Sequence, residues 1–213
     1  MKLSKTLFAL SLAVILPACS MIALGPDLSK APSPFGDAAT IRLVGDDGNT
    51  TEIHHTADGD TTTLKFDAVD QEKTFDGSLT WEPVTSADAG DSTHDYWLAG
   101  INIFKTADRS AYIVLRYPHG LKIARPMTSD AFESILITCQ MRGVDPTSLF
   151  DSGEASSSSS AAPQKPCDFA ARADLDAFLP QMMAEARKAE TAGTASDSSG
   201  DDYHWQKMTV VLP

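Results

Sequence analysis

From Thr40 hydrophobic and polar positions take up a period of two, and at Thr128 the period changes again. Thr40 to Val44, Thr51 to Thr56 and Thr61 to Phe66 alternate in this way. The gaps between them, Gly45-Asp46-Asp47-Gly48-Asn49 and Ala57-Asp58-Gly59-Asp60, have hairpin chemistry, because Gly and Asn tolerate positive φ and Asp-Gly suits a tight turn. A three-stranded meander is predicted. Ser78 to Val84 predicts a further strand with Leu79 and Trp81 on one face. Pro83 has no N–H to give to a ladder, so this strand should end early or lie on an edge. Tyr96 to Phe104, Ala111 to Tyr117 and Leu121 to Arg125 follow across tight turns and are predicted to form the centre of the sheet. Gly100, in mid-strand, predicts a bulge or a place where another backbone comes close.

At Thr128 the period shifts. Phe132, Ile135, Leu136 and Cys139 recur at i, i+3, i+4 and i+7, with Thr128, Ser129 or Asp130 to cap a start and Gly143 to stop it, so a helix of about three turns is predicted. A second helix is predicted with Leu175, Phe178, Leu179, Met182 and Ala186 on one face. Pro180 should kink or split it, because its ring removes a hydrogen bond to Asp176. Residues 151–166, with five consecutive serines, and residues 191–202 are too polar to bury themselves and read as disordered loops. Tyr203 to Leu212 alternates again and predicts a last strand. The fold class expected is α+β: an antiparallel meander or partly closed barrel with two C-terminal helices.

Ahead of this domain the pattern is of another kind. Lys2 and Lys5 precede an apolar run from Leu7 to Leu16, a secretory n-region and h-region. At ~1.5 Å per residue the run covers roughly half of a ~30 Å hydrocarbon core, which favours export over a permanent span. The run ends in Leu16-Pro17-Ala18 directly against Cys19 and resembles the lipobox of bacterial lipoproteins. In that class the cysteine thiol receives a diacylglycerol, a peptidase cuts before it, and the new amino group is usually acylated. The resemblance implies a signal peptide over 1–18, lipid attachment at Cys19 and a membrane partner reached through that anchor. Two or three acyl chains hold a protein on a bilayer where one would not. By the same resemblance Ser20, rather than an aspartate, implies the outer membrane, with the protein on its inner leaflet facing the periplasm. Residues 19–36, with Pro32, Pro34 and Gly36 and no period, read as a flexible tether, leaving 37–213 as a single domain.

Charge narrows the partners. Beyond residue 18 there are 15 Lys and Arg against 29 Asp and Glu, a net of −14 with His neutral. Phosphate contacts need clustered cations, so nucleic acid is not an expected partner. With Cys19 taken by lipid, Cys139 and Cys167 remain as an even pair in an oxidising compartment, and a disulfide between them is expected.

Candidate chemistry is sparse. His54 and His55 point to opposite faces of a strand, no His-Glu-x-x-His is present, and His94, His119 and His204 read as solvated, so no metal is expected. Asp46, Asp47, Asn49, Asp58 and Asp60 would suit a hard cation but serve equally as turn residues, and the twelve-residue calcium loop is missing. There is no Gly-x-Ser-x-Gly or Ser-x-x-Lys, and no cofactor motif. One stretch departs from the acidic background: Lys105, Arg109, Arg116, Lys122 and Arg125 stand against Asp108 alone. They form either a site for an anionic partner, such as a glycan or an acidic protein of the envelope, or counter-charges for neighbouring acids. The function expected is a non-catalytic accessory or interaction module of the envelope, similar to small lipoproteins of Gram-negative bacteria. The alternatives are a small-ligand or lipid carrier using the concave face of the sheet and an anchored hydrolase.

Overall fold

The computed structural model of the chain describes residues 22–28, 31–45, 50–55, 62–68, 71–85, 89–102, 109–143, 167–192, 203 and 205–213. Outside them lie Leu16-Pro17-Ala18-Cys19, the acidic turns at 46–49 and 57–60, Lys105, His204, the serine-rich stretch 151–166 and residues 193–202. Nine strands are described: β1 (Leu24–Pro26), β2 (Thr40–Gly45), β3 (Thr50–His55), β4 (Thr62–Ala68), β5 (Gln71–Val84), β6 (His94–Asn102), β7 (Arg109–Pro118), β8 (Met127–Leu136) and β9 (Gln206–Leu212). One long helix, α1 (Arg172–Ala192), accompanies them.

All the pairings are antiparallel. β2 to β8 follow one another in chain order, β9 lies between β8 and β2, and the circuit is completed where Ile113–Arg116 of β7 pair with Glu133–Leu136 of β8. The sheet curls into a half-barrel, and the offset at β5 is what opens it. Residues 71–77 of β5 pair with β4, whereas 78–84 pair with β6. Beside that second half the N–H of Ala31 reaches the Trp81 carbonyl, so a loop takes the place of a strand. Pro83 is therefore tolerated as the sequence predicts, on an edge that asks no ladder bond of it.

The two faces carry two cores. Ile41, Ile53, Trp81, Ala99, Leu115, Tyr117, Phe132, Val210 and Leu212 come from seven strands of the circuit and meet on the inside of the curl, where Phe35 packs edge-on to Trp81 and against Phe132. On the outside, Tyr96, Leu98, Tyr112, Val114 and Ile135 receive Leu175, Leu179, Met182, Met183 and Ala186 of α1. Pro180 lies within α1, which is not split as expected.

The predicted first helix is a strand. Phe132 and Ile135 are three apart and so leave β8 on opposite faces, Phe132 into the inner core and Ile135 into the outer one. A strand buried on both sides mimics the i, i+3 spacing of a helix, and a register shift between Ser129 and Phe132 adds to the resemblance. The predicted strand Leu121–Arg125 has no strand partner among the described residues. Leu121 and Ile123 alternate because they lie across the inner core, not because they join a ladder. The expected tether also changes: β1 pairs with the start of β7, and Ala23, Leu28, Phe35 and Ala38 are buried, so the ordered fold reaches back to Ile22.

Candidate functional site

The chain's most constrained point is where it enters the fold. Ile22 bridges Thr138, the Ala23 N–H reaches the Ile137 carbonyl, and Leu24 to Pro26 run along Ala111 to Arg109. The other edge of this short strand is also taken. The Leu24 N–H gives a 2.9 Å bond to the Asp168 carboxylate, and the Leu24 carbonyl accepts the Phe169 N–H at 2.7 Å. Asp168 is held in turn by Arg109, Nη2 to Oδ2 at 2.7 Å. Gly25 allows the closeness: a Cβ there would stand 2.7 Å from the Tyr112 hydroxyl and 2.8 Å from Phe169 Cβ. The Tyr112 hydroxyl bonds to the Pro26 carbonyl, and burial pushes this phenol above its ordinary pKa.

The expected disulfide is present and fastens this clasp. Cys139 and Cys167 are joined, with Cα atoms 5.0 Å apart. The bond ties the end of β8, not of a helix, to the residues that flank β1. Between its two cysteines, Arg142 of the 3-10 turn Gln140–Arg142 lies 4.2 Å from the Phe169 ring centroid.

The four basic residues that are described do not gather at one site. Lys105 is outside the described residues. Arg109 serves the clasp and Arg125 meets Asp37. Arg116, about 24 Å along β7 from Arg109 at ~3.4 Å per residue, is 4% exposed. It bonds Glu133 at 2.6 Å and Glu190 at 3.2 Å, and stacks 4.1 Å from the Trp205 ring. Burial works against its charge, but the two glutamates outweigh it and raise its pKa. Lys122 is exposed. Each of the three arginines faces a carboxylate of the fold.

Two further polar groups were not legible in the sequence because their members pair across the fold or through a turn. Asp91 accepts from the Thr93 N–H and hydroxyl, both at 2.7 Å, from the Tyr96 hydroxyl at 2.7 Å and from His94 Nδ1 at 2.9 Å. Burial alone would raise its pKa, but these donors together hold it well below the usual carboxylate range. Tyr96, buried and facing that carboxylate, is pushed up to about 12. His94 directs the same nitrogen to Thr93 and to Asp91, so the group closes a turn. At the other end of α1, Arg172 bonds Glu82 at 2.8 Å and Asp176 at 2.7 Å beside a cleft of about 250 Å³, which Val84, Leu98 and Leu179 also line.

His54 and His119 pair with Glu52 and Asp95, far from one another in the fold, and among the described residues no three metal-ligating side chains converge. No helix of the described residues is long and apolar enough to cross a membrane. The chain matches no protein-family model, no curated protein and no solved structure.

Proposed function

We propose that this chain is a lipid-anchored envelope lipoprotein, facing the periplasm from the inner leaflet of the outer membrane, and that it acts as a non-catalytic accessory or interaction module. The observation that carries the reading joins sequence to fold. The cysteine of the lipobox-like stretch stands three residues ahead of Ile22, where the chain is already paired, so that an anchor at Cys19 would join the body close to the clasp around β1. Arg109, Arg116 and Arg172 are each taken up by carboxylates within the fold.

Labelling with palmitate tests it. The natural chain should carry label in the membrane fraction, and Cys19→Ala should accumulate as unlabelled precursor with Cys139 and Cys167 still joined. A Cys19→Ala protein that is cut and released, or a natural chain without label, would remove the anchor from the reading.

A second reading, a carrier of a lipid or small apolar ligand, is favoured by one observation. Leu79, Trp97, Ile101 and Ile113 are only half-buried on the inside of the curl. Native mass spectrometry of the protein purified from membranes separates the two: a co-purifying lipid in stoichiometric amount supports the carrier, and a bare protein mass supports the interaction module.

A further inference from the structure

Register places Ile22 beside Thr138, Leu24 opposite Ala111, and Ile113 opposite Leu136. Residues paired across antiparallel strands point to the same face, and so do residues two apart along one strand. Ile22, Leu24, Ile113 and Leu136 therefore share a face. Ile101 joins them, because it pairs with Ala111. None of the five is buried, and Leu136 is 38% exposed, the one large apolar side chain in the exposed class among the described residues. A single exposed leucine needs no explanation, but a contiguous apolar surface at the end of a strongly acidic chain does.

What lies against it follows from the chain outside the fold. From Cys19 to Ile22 there are three residue steps, which span at most about 11 Å when fully extended. An acylated Cys19 must keep its chains in the bilayer, so the membrane surface can lie no further than that from Ile22. We propose that the face formed by Ile22, Leu24, Ile113 and Leu136 rests on the lipid surface, so that the protein sits on the bilayer in a fixed orientation with α1 turned to the side or away. The inference rests on acylation at Cys19. It adds that the body touches lipid, which the anchor alone does not require.

Site-specific photocrosslinking tests it in the full acylated chain, reconstituted in vesicles of phosphatidylethanolamine and phosphatidylglycerol. A benzophenone side chain at position 136 is compared with one at Glu185, which is exposed on α1. Position 136 should give several-fold more lipid adduct than position 185. A ten-residue Gly/Ser insertion between Ser20 and Met21 should lower that yield toward the level at 185. Equal yields at both positions in an acylated protein overturn the inference and leave the anchor standing. Adducts from 136 to a second copy of the chain also overturn it, in favour of self-association through this face. Absence of the lipid mass on the N-terminal peptide overturns both readings together.

Discussion

Arg116 stacks on Trp205 and meets Glu133 and Glu190 at a point where its guanidinium is almost wholly out of water. Removing it leaves two carboxylates facing an apolar ring. Arg116→Ala should cost about 2 to 4 kcal/mol in urea denaturation, less than a fully enclosed pair because Glu190 keeps 41% of its side chain in water. Arg116→Met, which refills the volume over Trp205, should recover part of that loss. Asp91 has a different signature. Its folded pKa lies below the unfolded value near 3.9, so the stability it contributes is complete above that value and fades as pH falls through the folded one. Asp91→Asn should therefore lower the urea midpoint at pH 7, and the gap from the natural chain should narrow below about pH 4.

At the level of elements, the disulfide closes a loop with a sequence separation of 28 residues. Constraining a loop of that length is worth about 3 to 4 kcal/mol in the chain-entropy account. Cys139→Ser with Cys167→Ser should lose about that much, measured as a urea transition that no longer responds to reductant, whereas the natural chain's should. The strands were the most legible part of the sequence, because period-two alternation and turn residues agree from Thr40 to Phe66 and apolar runs between turns mark β6 and β7, but the first half of β5, Gln71 to Gly77, lies ahead of the predicted strand Ser78 to Val84. β8 was not legible, since a strand covered on both faces loses its alternation and Phe132 and Ile135 then imitate one helical stripe. β1 was hidden for another reason: three residues are too few for a period, and Pro26 argues against a strand unless its partner on one side is known. Gly100 was expected to mark a bulge or the approach of another backbone, but what comes close is side chain: a Cβ there would stand 2.8 Å from Thr80 Oγ1 and 3.0 Å from Leu28 Cγ.

On the scale of the whole molecule, the candidate site was legible only as two unrelated facts, a lipobox-like cysteine and an even pair of thiols. In the fold the pair fastens the residues around β1, to which the described chain reaches back. The basic stretch carried no such information: sequence neighbours along β7 become partners of Asp168, Glu133 and Glu190, which are distant in the chain and cannot be found by spacing. The inner core, with its aromatic filling around Phe35, Trp81 and Phe132, leaves the half-buried row at Leu79, Ile101 and Ile113 as the part of the curl where an apolar guest or a lipid surface has room.

The clasp around β1 also has a mechanical meaning. Hydrogen bonds flank this strand on both edges, from β7 on one side and from Asp168 and Phe169 on the other, and they run across the direction in which the chain leaves. A tug at the N-terminus therefore loads them together, in shear, and does not open them one at a time. The force passes on one side into the sheet and on the other, through the Cys139–Cys167 bond, to the end of β8. Reducing that bond would remove this link and leave the load on β7 and on the pairing of Ile22 and Ala23 with Thr138 and Ile137.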